Sequence, residues 1–204
     1  MRFVCGRFWP KSAGTRNLTL ALSAQGLIAF TVAYGSSTLQ RKEKSRIGKL
    51  LKIGESAYRK VIQEARLAWP LECCGALLGR RSRGLVQVLE ALPAVCAETE
   101  TAQDRFRISG QDMVRFQAQA ERMGQEMVGF YHSHPVLQTA PDAAGHLDAP
   151  PTPSQADLEG ATWTDCFTLI VSMAEDGRSA VGCYFLTGDS LATRALVAVP
   201  LELT

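Results

Sequence analysis

The segment GFYHSHPVLQTAPDAAGHLDAPPTPSQADLEGAT, residues 129–162, holds every histidine of this 204-residue chain. The three histidines are His132, His134 and His146. The apolar residues before the first two predict a strand, and successive side chains of a strand point to opposite faces of its sheet. His132 and His134 should therefore share one face, with Ser133 pointing away. Two imidazoles on one rigid face form half of a metal site.

A helix start follows the histidines at TPSQAD, residues 152–157. Thr152 suits the N-cap, and Gln155 three residues later completes a capping box. A helix that starts there puts Ser154 and Asp157 on neighbouring positions of one face, about 5–6 Å apart. Asp157 can supply a carboxylate oxygen, and Ser154 a hydroxyl group next to it.

Two histidines and one aspartate leave the fourth position of a tetrahedral zinc ion open, which is typical of catalytic rather than structural zinc sites. Catalysis at such a site needs a base that takes a proton from water and passes it to a leaving amine. Glu72 is the candidate, because it lies just after Pro70 at the mouth of the apolar strand CCGALLG.

These residues resemble the motif of a known family. Glu72, the tetrapeptide HSHP (132–135) and Ser154-x-x-Asp157 are similar to the signature of the JAMM, or MPN-plus, zinc metalloproteases (the Mov34/MPN/PAD-1 group). The segments PLECCGALLGR, FRIS, EMVGFYHSHP, PSQADLEGAT and FTLIVSM occur in the order expected of bacterial members, over about residues 53–190. The resemblance implies a cytidine-deaminase-like α+β fold, in which helices sandwich a mixed sheet and zinc lies at a strand end and a helix N-terminus.

The resemblance also implies a zinc site and two catalytic residues. The ligands of Zn2+ would be His132, His134 and Asp157. The catalytic residues would be Glu72, as general acid and base, and Ser154, which stabilises the oxyanion. The implied activity is hydrolysis of a peptide or isopeptide bond at the C-terminal tail of a ubiquitin-like β-grasp protein, with a small sulfur-carrier protein favoured over ubiquitin itself.

Other functions compete with this interpretation. A zinc nucleobase deaminase shares the fold but needs H-x-E followed by P-C-x-x-C, and the sequence has neither. A non-catalytic MPN scaffold binds partners without metal and typically loses ligands, whereas this chain retains every one. A deconjugating peptidase that processes a signalling protein in phage defence is a further alternative.

The spacing between the second histidine and the serine departs from the family pattern. Here nineteen residues, 135–153, separate His134 from Ser154, which is longer than in family members. A loop can lengthen without moving the strand and helix that it joins, so the insertion affects specificity rather than the ligand set. His146, in this insertion, is expected to be an exposed loop residue, with a role as a flap over the zinc or a substrate contact as the alternative.

Charge is unevenly distributed along the chain. Residues 1–52 hold ten Lys/Arg and one acid, a net charge of +9, whereas residues 53–204 hold twelve Lys/Arg and nineteen acids, a net charge of −7. The chain therefore divides into a basic N-terminal extension, 1–52, and a peptidase domain, 53–204. The domain lacks the clustered cations that phosphate binding needs, so we expect no nucleic-acid partner.

The N-terminal extension contains the apolar stretch LTLALSAQGLIAFTVAY, residues 18–34, after several basic residues. That order resembles an export signal, but polar residues interrupt the stretch and leave it too short for a membrane span. We expect a poorly ordered extension on a cytoplasmic protein that is a monomer or a weak homodimer, with export or membrane anchoring as the lesser alternative.

The six cysteines form no C-x-x-C pair, which favours buried thiols in a reducing compartment over a cysteine zinc or redox motif. A disulfide between Cys96 and the Cys73–Cys74 pair is the alternative.

Local patterns predict an α+β fold whose sheet is layered with two or three helices. Apolar residues three or four apart predict helices over 55–69 and 109–124. Pro135 should end the strand that carries the histidines, because proline has no N–H to donate to a ladder. The predicted strands are 73–79 and 85–92, joined as a hairpin by the turn-like RRSRG, and then 104–109, 126–134, 167–174, 179–188 and 192–199.

Overall fold

Strands form most of the regular structure. A computed structural model describes residues 50–82, 85–95, 108–136, 147, 149–188 and 193–204. The strands in these ranges are β1 (Leu51–Ile53), β2 (Cys74–Ser82), β3 (Leu85–Pro93), β4 (Glu126–Val136), β5 (Phe167–Ala174), β6 (Ser179–Thr187), β7 (Ala195–Ala198) and β8 (Leu201–Leu203). The helices are α1 (Glu55–Ala68), α2 (Gly110–Met123) and α3 (Gln155–Gly160). This combination agrees with the predicted α+β class.

The eight strands form one mixed sheet in the order β7-β6-β5-β4-β2-β3-β1-β8. β4 pairs with β5 in parallel, as does β1 with β3 and with β8, and the other pairs are antiparallel. Only Val199 and Pro200 separate β7 from β8, although these strands stand at opposite ends of the order. The sheet therefore curls until its two edges approach each other. Strand β4, which carries His132 and His134, lies at its centre.

Helix α1 covers one face of the sheet. Its apolar residues recur at helical spacing, so Ala57, Val61 and Ala65 form one buried stripe. This stripe packs into the main hydrophobic core with residues from several strands. Among those residues are Leu51, Ile53, Leu77, Val88, Tyr131, Phe167, Leu169, Val171 and Met173.

The opposite face of the sheet carries the alternate residues of the same strands. Ala76 and Ile170 are fully buried but lie outside the main core, because their neighbours along each strand point to the α1 side. Helix α2 contacts β2 and β4, and its buried Phe116 and Ala120 also lie outside that core. Helix α2 therefore covers the second face, and the sheet lies between helices. The finer cytidine-deaminase-like description stays a prediction.

The helix limits agree with the sequence signals. Helix α1 ends at Ala68, before Pro70. Helix α2 starts after Ser109, whose side chain caps it, and ends at Gly124, which has a φ of 60° that suits glycine. Leu67 of α1 is 72% exposed, because it lies off the buried stripe that meets the sheet.

The hairpin prediction is confirmed, but the strands extend into the segment that the composition marked as a turn. Strand β2 continues to Ser82 and pairs there with Leu85. The arginines at this end favoured the prediction of a turn. A strand accommodates Arg81 there because Glu126 on β4 balances its charge, with an Nε–Oε2 distance of 3.5 Å. The predicted strand 104–109 falls mostly outside the described residues.

Two short strands at one end of the sheet, β1 and β8, were missed. Strand β1 pairs with β3 and β8, and Leu51 is fully buried. The sheet therefore includes Leu51 and Lys52, which the charge division had assigned to the extension 1–52. Strand β8 follows β7 after two residues, and the predicted final strand 192–199 is observed as β7 at 195–198. Three residues are too few for a period-2 pattern to be recognised.

Within the described ranges, none of the helices is both long enough and apolar enough to pass through a bilayer. The rest of the N-terminal extension lies outside these ranges.

Candidate metal centre

Two histidines lie near the end of the central strand β4. His132 and His134 alternate with Ser133, so they share the face opposite α1. His132 pairs with Cys74 on β2 and with Ile170 on β5, and it is only 2% exposed. The side chain of His134 is 25% exposed. His132 therefore lies in the protein interior, and His134 lies closer to the surface.

Strand β4 does not end at Pro135, which corrects the sequence prediction. The N–H of Ser133 donates to the carbonyl of Cys73 on the β2 side. The nitrogen of Pro135, two residues on, faces the same side, where the β2 ladder has already ended. No ladder bond is lost there, and pairing with β5 continues to Val136.

The third group of the centre comes from the start of helix α3. Ser154 is the N-cap, and its Oγ accepts a hydrogen bond from the N–H of Asp157 at 3.1 Å. The carboxylate of Asp157 accepts one from the N–H of Ser154 at 2.6 Å, which completes a capping box. The box predicted at Thr152 and Gln155 was therefore wrong by two residues. Asp157 at the third helical position closes the box with Ser154, as Glu or Gln would.

Three side chains from these elements converge. The Nε2 atom of His132 lies 3.0 Å from Oδ1 of Asp157, and Nε2 of His134 lies 3.3 Å from Oδ2. The two Nε2 atoms are 3.1 Å apart. The potential ligand atoms all lie within 4.8 Å of one another. Two imidazole nitrogens and a carboxylate oxygen are a donor set that zinc accepts, so these residues fit the ion that the family resemblance implies.

The electrostatics favour the protonation states that bind a metal. Burial lowers the pKa of His132 and outweighs the opposing effect of Asp157, so this imidazole stays neutral. Burial alone would raise the pKa of Asp157, but hydrogen bonds from the two histidines hold it well below its usual range. A neutral imidazole and an ionised carboxylate are the charge states in which these residues bind a metal.

Glu72 and Ser154 flank the elements that carry these ligands. The half-buried Glu72 lies two residues before Cys74, and Cys74 pairs with His132 in the last β2–β4 pair. Ser154 is exposed at the rim. Its oxygen accepts from Asp157, and its hydroxyl proton can be donated to another group.

Ser133 points away from the centre, as the strand alternation predicts, and has a structural role. It is 1% exposed, and its Oγ accepts a hydrogen bond from the N–H of Cys73 at 2.8 Å. Together with the bond from the Ser133 N–H to the Cys73 carbonyl, this contact ties the segment after Glu72 to β4.

Sequence reasoning missed a tyrosine that contacts the segment before α3. The hydroxyl of Tyr184 on β6 donates a hydrogen bond to the carbonyl of Pro151, in the segment before α3. Gly182 on the same strand gave the available signal, because a glycine inside a strand often marks a close approach of another group.

Several predicted features lie outside the described residues. These are His146 with most of the insertion, and Cys96 with the disulfide hypothesis, which stays a prediction.

Comparison with known proteins gives a family and related folds. Residues 54–143 match the family model described as prokaryotic homologues of the JAB domain. The desampylase of Haloferax volcanii is 32% identical over 109 residues. The match covers 53% of this chain and 66% of the relative, just under two thirds of its length.

Two solved structures share the fold. One is a solution structure of a protein from Desulfitobacterium hafniense, with a TM-score of 0.59 and 21% identity, covering 76% of this chain and 92% of the other. The second is a solution structure of a protein from Salinibacter ruber, with a TM-score of 0.51 and 27% identity, covering 74% and 91%.

Proposed function

Because this chain belongs to the prokaryotic JAB domain family, we propose that it is a zinc-dependent hydrolase of the JAMM type. Its substrate is a peptide or isopeptide bond at the C-terminal tail of a ubiquitin-like or sulfur-carrier β-grasp protein. The observation that carries this proposal is the convergence of His132, His134 and Asp157. The relationship to a protein named desampylase supports the choice of reaction.

Zinc held by these three residues would supply Lewis acidity, which lowers the pKa of a water molecule and polarises a carbonyl group. The chain's own contribution begins with the ligands. The neutral imidazole of His132 and the ionised Asp157 lie close together before any ion binds, so little rearrangement is needed. The buried end of the site, at His132, keeps bulk water away from one side of the reacting atoms.

Glu72 moves the proton in this proposal. Its carboxylate takes a proton from the attacking water and then gives it to the leaving amine, so one group acts as base and then as acid. Its position two residues before Cys74, the β2 partner of His132, supports this role. Ser154 donates its hydroxyl proton to the oxygen on which negative charge develops.

A direct assay tests the proposal. Purified protein is incubated with candidate β-grasp fusions, with and without a chelator, and cleavage is measured by mass spectrometry. We expect cleavage after the β-grasp tail, loss of cleavage with chelator, and recovery when zinc is added. Glu72→Gln should keep zinc but lose about 10²–10⁴-fold in turnover, the range for general acid–base catalysis.

The competing function is a partner-binding scaffold without metal. Protein that contains no zinc and binds a β-grasp partner without cleaving it would support the scaffold and contradict the hydrolase. Full turnover in Glu72→Gln would remove Glu72 from the mechanism.

A further inference from the structure

A buried tyrosine on β6 holds the segment that leads into α3. Tyr184 is 6% exposed, and its hydroxyl donates to the carbonyl oxygen of Pro151, which is also buried. Pro151 precedes the N-cap Ser154 by three residues and the candidate ligand Asp157 by six. The hydrogen bond therefore joins the sheet to the chain just before the helix that presents the carboxylate.

The strand register places this tyrosine next to the row of residues that contains the first histidine. His132 pairs with Ile170, and Ile170 pairs with Gly182, so these three residues lie in one row across the sheet. Gly182 and Tyr184 are two apart and share the face of His132.

Gly182 provides the space that the tyrosine ring occupies. A Cβ atom at Gly182 would lie 2.6 Å from Cε2 of Tyr184 and 2.7 Å from its hydroxyl oxygen, much closer than van der Waals contact. The ring therefore leans along the strand over Gly182, toward the row of His132. Any side chain at position 182 would displace the ring and carry the hydroxyl away from Pro151.

Helix α3 is short. None of its six residues is buried as a whole, although the side chain of Asp157 is 6% exposed and meets the two imidazoles. A helix of this length is marginal alone. Its capping box orients Asp157 relative to Ser154 but does not orient either residue relative to β4.

We propose that Tyr184 is a positioning residue for Asp157, and that Gly182 makes this position possible. The hydrogen bond to Pro151 holds the start of α3 where the carboxylate meets the two imidazoles. This inference rests on the proposed zinc site. It adds a residue that affects zinc affinity by fixing the position of the chain before Asp157, without contact with the ion. Groups that hydrogen-bond directly to metal ligands typically contribute about 10–100-fold in metal affinity, so a group that acts through the chain should contribute about the lower end of this range.

The chemistry of the tyrosine is consistent with a permanent donor. Burial raises the pKa of the Tyr184 hydroxyl, so it stays protonated over the neutral range and can always donate to the carbonyl.

The test compares zinc affinity in three proteins by competition with a chromophoric chelator. Tyr184→Phe removes one hydroxyl group and should weaken zinc binding by about tenfold, the lower end of that range. The matched control is Tyr58→Phe, on helix α1 on the other side of the sheet, which should bind zinc as the wild type does. The melting temperature of each chelated protein is measured in parallel. Excess zinc should restore turnover of Tyr184→Phe, because the ligands themselves are intact.

The outcomes separate the inference from the function on which it rests. If the wild type binds zinc and Tyr184→Phe binds it equally well, the positioning role is contradicted and the hydrolase proposal stands. A lower melting temperature with unchanged zinc affinity would mean a purely structural role and would also overturn the inference. If the wild type binds no zinc, both fail together.

A second variant covers the case in which Tyr184→Phe does not fold. Gly182→Ala keeps the hydroxyl group but pushes the ring aside, so it should also lose zinc affinity. Unchanged affinity in Gly182→Ala would contradict the proposal.

Discussion

The N-termini of α2 and α3 begin with the same local motif and differ in what their aspartates meet. The first is Ser109-Gly-Gln-Asp112 and the second is Ser154-Gln-Ala-Asp157. In each, the serine Oγ accepts a hydrogen bond from the aspartate N–H, at 3.0 Å in the first and 3.1 Å in the second. Both helices are thus capped in the way that Ser-x-x-Asp predicts.

The surroundings of the two carboxylates differ. Asp112 is paired with the Arg115 guanidinium at 2.6 Å and also accepts hydrogen bonds from the N–H of Val95 and the hydroxyl of Ser109. Its charge is balanced and its lone pairs are used, so it anchors the end of β3 to α2. Asp157 faces the imidazoles of His132 and His134 instead. The capping motif is therefore a matter of local folding, and the partners across the sheet decide whether the carboxylate can bind a metal.

The largest expected difference between the two aspartates is in catalysis. Asp157→Asn removes the charged ligand, and we expect turnover of a β-grasp fusion to fall by about 10³-fold or more, as for loss of several kcal/mol of transition-state stabilisation. Asp112→Asn should keep turnover within about threefold under folding conditions. Initial rates with saturating zinc measure both, and equal losses in the two variants would contradict the distinction.

The two serines give a smaller contrast. Each serine-to-alanine change removes a cap and costs about 1 kcal/mol or less of stability. Ser154→Ala should also lower turnover by about 10²–10³-fold, because it removes a hydroxyl donor from the developing oxyanion. Ser109→Ala is the matched control and should leave turnover unchanged. Unaltered turnover in Ser154→Ala would leave Ser154 with a capping role alone.

Asp112→Asn should lower stability rather than turnover. Asp112→Asn leaves Arg115 without its partner and weakens the bond to Val95, which should cost about 1–3 kcal/mol of unfolding free energy. Urea unfolding of the chelated proteins measures this cost. Asp157→Asn should also lower stability, because it weakens the hydrogen bonds from the two histidines that favour the ionised carboxylate. An unchanged unfolding free energy in Asp112→Asn would contradict the anchoring role of Asp112.

The smallest predicted effect is a dependence on pH. Burial alone would raise the pKa of Asp112, but hydrogen bonds from Arg115 and Ser109 leave it lowered in the folded protein. A lowered pKa stabilises the fold above the unfolded value of about 3.9, and this contribution is lost as the pH falls through the folded pKa. The difference in unfolding free energy between wild type and Asp112→Asn should be constant from about pH 7 to 5 and shrink below about pH 4. A difference that does not change with pH would contradict this account.

Sequence patterns predicted the elements that carry strong periodicity or clear end signals. Helix α1 with its stop before Pro70, helix α2 between Ser109 and Gly124, and the central strands all followed from such signals. The short strands β1 and β8 did not, because their three residues gain stability from parallel pairing with strands distant in sequence rather than from a local pattern.

The sequence predicted part of the site. The alternation of His132 and His134 on a strand, and their link to Asp157 by family resemblance, named three residues that the fold brings together. The true cap at Ser154 was missed, because Thr152 offered an equally good signal and only the tertiary position of the chain decides between them. Tyr184 was missed because its contact joins residues thirty-three apart in sequence.

The zinc content of two aspartate variants tests the central claim most directly. Wild type, Asp157→Ala and Asp112→Ala are purified side by side without added metal, dialysed against zinc, freed of excess ion and measured by inductively coupled plasma mass spectrometry. We predict about one zinc per chain in the wild type and in Asp112→Ala, and a large loss in Asp157→Ala, because the open catalytic type of zinc site uses three protein ligands. Metal-free wild type, or equal zinc in both variants, would contradict the account.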